Sequence, residues 1–312
     1  MKKTLMIMVT LLLVLLVACS PNKDTKKETK KEETVTITTP TGDVKVPKNP
    51  KKVVVLDYGV LDTMDKLGLG DTVVGMPREN VPSYLKKYDT DKVENLGGLK
   101  EVDIEKINEL APDLIISSGR MSDMNEKFEK IAPTIQMSVD TADYLKSFKT
   151  NTTEIAKVFD KQAEAKKQLE AIDTKIEKVR ENVPTDKKAL IILANEGKAS
   201  AYGANSRFGL IHDVLGFTPV DKDLKVETHG QSVSFEYISK KNPDYIFVID
   251  RGAVVGGEAS GKKVIENELV EKTNAYKEKQ VVYLDPEVWY FAGGGIESFN
   301  KMIDEIGNVV KK

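Results

Sequence analysis

Short runs of β-branched residues alternate along the chain with stretches of helical spacing. "KKVVVLDYG" precedes "VLDTMDKLGLG", "PDLIISSG" precedes "MNEKFEKI", "KKALIILAN" precedes "FGLIHDVLGF", and "PDYIFVIDRG" precedes "KVIENELVEK". A strand followed by a helix, repeated, is the pattern of an α/β fold with largely parallel strands. The alternation occurs twice, on either side of the segment 141–183. That segment lacks Gly and Pro and spaces Phe148, Ile155, Phe159, Leu169, Ile172 and Ile176 as a helix would. The pattern predicts an N-terminal α/β lobe over 35–140, a connecting helix over 141–183 whose break, if there is one, falls near Asp160, and a C-terminal α/β lobe over 184–312. One rod between two lobes permits small tilts and resists wide hinge opening.

The alternation hides a closer repeat. "DIEKINELAPDLIISSGR" (103–120) returns as "SFEYISKKNPDYIFVIDR" (234–251), with Glu105 matching Glu236, Pro112-Asp113 matching Pro243-Asp244, and Arg120 matching Arg251 at one constant displacement. In each copy Asp103 or Ser234 is placed to cap a helix, a Pro-Asp pair ends it, a strand follows, and an Arg sits beyond the strand. Open α/β sheets bind ligands at the carboxyl ends of their strands. Two facing copies would set Arg120 and Arg251 on opposite walls of a cleft, and Glu105 and Glu236 on an outer face. An acid in a first helical turn also suits the helix dipole, so scaffold and site remain equal readings of the glutamates. The arginines have no packing duty beyond an apolar strand.

The first residues change the picture of where these lobes work. "MKK" followed by "TLMIMVTLLLVLLVA" is a signal peptide over 1–18, and Leu16-Val17-Ala18-Cys19 resembles the bacterial lipobox, whose Cys is acylated. Cys19 is the only cysteine, which leaves it no disulfide partner. The polar, highly charged stretch 19–34 reads as a solvated tether. The expected address is therefore the extracellular face of a Gram-positive type of cell membrane, held by palmitate-like chains, with no spanning segment. A net charge of −2 gives no global attraction to nucleic acid, so recognition of a charged ligand must be local.

Local chemistry gathers in a few loops. Arg120 ("SSGRMS"), Arg207 ("YGANSRFG") and Arg251 ("VIDRGAVVGG") follow strand-like runs and offer rigid donor forks for oxygen-rich anions. Of two histidines, His212 falls in an amphipathic stretch and reads as interior, whereas His229 in "KVETHGQSVS" lies in a polar loop where nothing structural calls for imidazole. Trp289-Tyr290-Phe291 cannot all point into a core, so at least one is expected in the cleft; the Tyr290 phenol is a hard donor suited to ferric iron, with His229 a possible companion. "GGEASGKK" (256–263) has Lys263 where a phosphate-binding loop needs Ser or Thr, and "GGGIESFN" lacks the dinucleotide spacing, so both are set aside as loop and tight turn.

From about Lys51 onward, with the lipobox in front, the chain resembles the class III substrate-binding lipoproteins of ABC importers. Within that class it is similar to the group that binds petrobactin and related ferric catecholate siderophores, on "THGQSVS", "PDYIFVIDRG", "NSRFGLIHDV" and "WYFAGGG". The resemblance implies two Rossmann-like lobes joined by a long helix and no enzymatic activity. It further implies a cleft in which Arg120, Arg207 and Arg251 hold the ligand's anionic oxygens. His229 and Tyr290 would fill the two iron positions that a tetradentate siderophore leaves open, while Glu105 and Glu236 would dock on arginines of the permease. Ferric iron would enter as the siderophore complex, with no intrinsic cofactor, and a monomer is the expected state. The alternatives are a receptor for haem, cobalamin or a metal ion. Further off stands a metal-dependent hydrolase, for which the chain offers no constellation of base and metal ligands.

Overall fold

The structure is a computed structural model that describes residues 33–257 and 261–311. The signal peptide, Cys19 and all but the end of the tether lie outside the described residues. Among the described residues no helix is long and apolar enough to cross a membrane.

The fold has two lobes, each built on a sheet, the first all parallel and the second mixed. In the first, strands β3 (Val53–Val55), β4 (Val73–Met76), β5 (Glu94–Asn95), β6 (Leu114–Ser117) and β7 (Thr134–Gln136) form a sheet of order β5-β4-β3-β6-β7, all pairs parallel. It is preceded by an antiparallel hairpin, β1 (Thr34–Thr39) with β2 (Gly42–Pro47), which the alternation of strands and helices did not announce. The second lobe follows the path β11-β9-β8-β12-β13, with β10 (Thr218–Pro219) beside β8. Here β8 (Lys188–Asn195), β12 (Tyr245–Asp250) and β13 (Val281–Leu284) are parallel, whereas β9 (Lys198–Tyr202) is antiparallel to both β8 and β11 (Gln231–Val233). Glu196 and Gly197, at φ of 50° and 78°, make the tight turn that folds β9 back on β8. The stretch "FGLIHDVLGF", expected to be an ordinary helix, is a single π-helical turn over Leu210–Val214.

The internal repeat is the same physical unit built twice. Helix α2 (Ile104–Leu110) is capped by Asp103, which accepts from the Lys106 N–H at 3.1 Å, and it ends on Ala111 at φ 44°. Helix α5 (Phe235–Lys241) is capped by Ser234, which accepts from the Tyr237 N–H at 3.2 Å, and it ends on Asn242 at φ 46°. The Asp after each Pro then ties the new strand to its neighbour. Asp113 accepts from the N–H groups of Lys51 and Lys52, and Asp244 accepts from that of Lys188.

The connecting segment is two helices, α3 (Tyr144–Val158) and α4 (Gln162–Arg180), broken at Asp160 with φ 56°. The break is held from the hairpin end by Asn49 and Lys48, which donate to the Asp160 carboxylate at 2.8 and 3.0 Å. A second crossing comes from the last helix, α6 (Ile296–Val310), which packs on α1 (Tyr58–Lys66) and α4. Phe299 of α6 stacks on Phe148 of α3 with ring centroids 4.2 Å apart. The chain thus passes between the lobes once through α3–α4 and again before α6.

Asp62 of α1 locks that second crossing. Fully buried, it accepts from the N–H groups of Glu297 and Ser298, both at 2.7 Å, at the start of α6. Gly295 leaves room for it, because a Cβ there would lie 2.3 Å from the carboxylate. Burial pushes the Asp62 carboxyl up to about 6, against the backbone N–H groups that favour its charge. The folded protein therefore binds a proton more readily than the unfolded chain between pH 3.8 and about 6, so this group's contribution falls as pH rises through that window. Denaturant unfolding of Asp62→Asn at pH 4 and pH 7 is expected to flatten this component, which amounts to about 3 kcal/mol for a shift of this size. An unchanged pH slope would show that Asp62 titrates in its ordinary range.

Candidate functional site

Between the lobes lies a cleft of about 700 Å³. Asp57, Lys100 and Arg120 line it from the first lobe, and Arg207 and His229 from the second. Its floor is the π-helical turn Glu287–Phe291, from which Trp289, Tyr290 and Phe291 all line the cleft. All three are nearly buried yet contribute to the lining, so the expectation of at least one aromatic in the cleft is met by a shared apolar floor. Trp289 is pinned by donating its indole N–H to Glu305 at 2.8 Å.

Three guanidinium groups converge on Tyr290. Arg120 leaves the end of β6, its backbone N–H held by the Ser118 hydroxyl, and donates Nη2 to the Tyr290 carbonyl at 2.9 Å. Arg207 follows β9 in a loop fixed by the Ser206 hydroxyl on the Gly203 carbonyl, and its Nη2 donates to the same Tyr290 carbonyl. Arg207 also lies over the Tyr290 ring, 4.3 Å from the centroid. Arg251, beyond β12, donates Nε to the Tyr290 hydroxyl at 2.8 Å and Nη1 to the Asn195 amide oxygen at 2.6 Å. Arg251 is not itself a cleft-lining residue and reaches the cleft through that phenol. Among the described residues none of the three arginines is in an ion pair with a carboxylate.

The electrostatic consequences are legible in the titratable groups. Burial raises the Tyr290 phenol, but the Arg251 hydrogen bond and the charges of Arg207, Arg251 and Arg120 outweigh it and leave the phenol below the ordinary tyrosine value. Burial, with the neighbouring Arg120, draws Arg207 down from its ordinary value. A guanidinium remains charged under any such shift. Asp57 caps α1 by accepting from the N–H groups of Gly59 and Val60. Burial pushes its carboxyl up, against the charges of Arg120 and Arg207 and the same two backbone bonds. Asp57, Asp123 and Glu227 line the cleft together with Lys100, Arg120 and Arg207, so its positive charge is local: the guanidinium groups bonded to Tyr290 form a partly desolvated cluster, and such a cluster attracts anionic oxygens.

A match to the family described as periplasmic binding protein spans residues 53–288. The chain belongs to this family. Along its whole length this periplasmic binding protein is 49% identical to the petrobactin-binding protein YclQ of Bacillus subtilis, all of which is covered. The crystal structure of YclQ superimposes with a TM-score of 0.88 over 90% of this chain and 100% of that one. The ferric-anguibactin-binding protein FatB of Vibrio anguillarum is 32% identical, with 98% of each chain covered. The catecholate-siderophore binding protein VctP of Vibrio cholerae matches with a TM-score of 0.83 and 33% identity, over 88% of this chain and 99% of that one.

The remaining predicted residues fall in distinct places in this binding protein. His229 lines the same cleft as Tyr290 from an exposed loop, and Gly230 beside it takes φ 70° where a Cβ would lie 2.5 Å from the Tyr202 ring. His212 is interior: its Nδ1 meets the Phe217 carbonyl at 2.9 Å, and burial lowers its pKa to about 4. Glu105 and Glu236 are exposed as the second residues of α2 and α5. Each helix runs back along the strand that follows it, which leaves its first turn toward the arginine-bearing end of the sheet. Among the described residues no group of three or more His, Cys, Asp or Glu side chains could hold a metal ion.

Asp57, Lys100 and Asn195 were not singled out from the sequence. Asp57 carried a usable signal as the polar residue between "VVVL" and a helix, but capping alone explained it. Single replacement of Arg120 or Arg207 by Ala is expected to weaken binding of an anionic ligand in the cleft by about 1.5–3 kcal/mol each. Arg251→Ala should also raise the Tyr290 phenol titration, because its hydrogen bond to the oxygen is lost. Calorimetric binding and the phenolate absorbance of the ligand-free variants check both, and affinities equal to wild type would remove the arginines from the site.

Proposed function

We propose that this periplasmic binding protein captures a ferric catecholate siderophore, petrobactin or a close relative, in the interlobe cleft and hands it to an ABC permease. The observation that carries this reading is the convergence of three unpaired guanidinium groups on Tyr290 at the wall of the 700 Å³ cleft. The similarity to a petrobactin-binding protein over the full length supports it. A ferric catecholate presents several anionic oxygens on a compact, aromatic-edged body. Such oxygens are better acceptors than the single Tyr290 carbonyl that Arg120 and Arg207 now share, so the ligand strengthens bonds already oriented. The aromatic floor of Trp289, Tyr290 and Phe291 supplies apolar area for the rings.

Iron is cargo in this account and no bond of the ligand is made or broken. Where the siderophore provides four donor atoms, the imidazole of His229 and the phenol oxygen of Tyr290 complete the shell of the ferric ion. Cys19, acylated, anchors the protein to the outer face of the membrane, with 20–34 as its tether. Glu105 and Glu236 are the feet that meet basic residues of the permease.

Intrinsic fluorescence titrated with ferric bis- and tris-catecholates, ferric hydroxamates, haem and cobalamin tests the proposal. Quenching by the catecholates at the lowest concentrations is expected, and tighter binding of haem or cobalamin would overturn it. His229→Ala and Tyr290→Phe are expected to weaken a tetradentate bis-catecholate about tenfold or more each, since a donor to the metal is lost, while a hexadentate ligand changes far less. Isothermal titration with the two ligand classes measures the contrast; equal losses for both would assign the pair to the cleft wall alone. The double variant Glu105→Arg/Glu236→Arg should bind the siderophore normally and fail to support iron uptake, because like charges then face the permease. Lost binding in the purified double variant would place the glutamates in the fold.

A further inference from the structure

The loop over 220–230 joins β10 to β11 and is held at both ends. The Asp221 carboxylate accepts from the Tyr237 hydroxyl and from the Lys241 ammonium, both at 2.6 Å, which ties the start of the loop to α5. Leu224 is buried among Ala199, Ala201 and Ile238. Beyond it the Lys225 N–H donates to the Gln231 side-chain oxygen at 3.1 Å, and the Gly230 N–H donates to the Glu227 carbonyl at 3.0 Å, closing a turn over 227–230. Gly230 is seated on Tyr202, whose ring packs edge-on against Phe208 with centroids 4.7 Å apart. This frame leaves one apolar side chain facing water: among the described residues Val226 alone of the large hydrophobics is exposed, at 59%. A single apolar residue on open surface asks for no explanation. Val226 is not on open surface, because it lines the cleft.

We propose that Val226 is a specificity-determining residue that packs against the aromatic rings of the bound ligand and so selects ferric complexes whose donor oxygens are carried on an aromatic body. The inference deepens the catecholate reading of the cleft and rests on it. Val226 precedes the turn that carries His229, so the loop offers an apolar group to the organic part of the ligand beside the imidazole proposed to meet its metal. Its neighbours Lys225 and Glu227 are exposed and charged, which confines the loop's apolar contact to this one side chain. A β-branched residue suits the task, since its methyl groups already have restricted rotamers and little freedom is lost when a ring covers them. The ring in turn leaves water on both faces, with Trp289, Tyr290 and Phe291 supplying the floor. A citrate-type ligand, all carboxylate and hydroxyl, gains little from the same contact.

Contact and selectivity are measured separately. In the full chain with isotope-labelled valine methyl groups, the Val226 signals are assigned by their loss in Val226→Ala, and a bis-catecholate of trivalent gallium serves as the diamagnetic stand-in for the ferric complex. Nuclear Overhauser contacts between the Val226 methyl groups and the catecholate ring protons are expected. Their absence while isothermal titration shows the complex bound overturns the proposal and leaves the cleft reading standing. Val226→Ala should weaken the ferric bis-catecholate by about fivefold, the scale of roughly one buried methyl-sized group, while Val226→Leu should stay within about twofold of wild type. The response to ferric citrate should be the same in Val226→Ala as in wild type. Because Val226 is exposed without ligand, neither variant should move the melting temperature, so the affinities are read on intact folds. Wild-type affinity for the catecholate in Val226→Ala, or an equal loss for ferric citrate, also overturns the assignment. Failure of every catecholate complex to bind the wild-type protein would refute the cleft reading, and this inference with it.

Discussion

Three like charges gathered around one side chain repel one another, and the rest of this structure is arranged to hold them there. Tyr290 makes the gathering tolerable by offering the guanidinium groups its carbonyl, its ring and its hydroxyl. Its carbonyl accepts from Arg120 and Arg207, its ring lies beneath Arg207, and its hydroxyl meets Arg251. A carbonyl has two lone pairs, so two donors exhaust it without competing. Dipoles compensate a buried cation only in part. The ligand-free cleft is therefore held in a state that an anion improves, with the donors already aimed.

That arrangement depends on the backbone of the Tyr290 turn being immobile with respect to both lobes. The turn receives the Ser83 N–H on Glu287, the Tyr144 hydroxyl on the Gly293 carbonyl, and the Asp62 carboxylate at the start of α6. All three tie it to the first lobe or the connecting helices, while Arg207 and Arg251 tie it to the second. The glycines that follow serve close approach: a Cβ at Gly294 would meet Val139 at 2.9 Å, and one at Gly295 would meet Asp62. The chain crosses between lobes at α3–α4 and again before α6, so a wide hinge opening would have to distort both crossings.

Duplication supplies the two walls, and the copies are not chemically equal. Both use a capped helix, a left-handed exit and a Pro-Asp staple to place an arginine beyond a strand. The first copy sends Arg120 into the cleft directly. The second sends Arg251 behind the phenol, where Asn195 intercepts it. In the second lobe β9 folds back antiparallel beside β8, and Arg207 in the loop after it donates to the Tyr290 carbonyl.

Much of this was legible in the residues alone. The two lobes, the repeated unit, the arginines beyond strands and the aromatic floor follow from periodicity, capping and strand-end placement, signals carried within about ten residues of chain. Cys19 and the tether belong to the same class of local signal. The tertiary structure alone decided that Arg120 and Arg207 share one carbonyl, that Arg251 acts through Tyr290, that Asp57 and Lys100 line the cleft, and that Asp62 caps a helix 235 positions away. The physical reason is range. A cap or an amphipathic face is satisfied by neighbours in sequence, whereas a charge cluster is created only when separate loops meet, and the residues that balance it carry no local mark of the task.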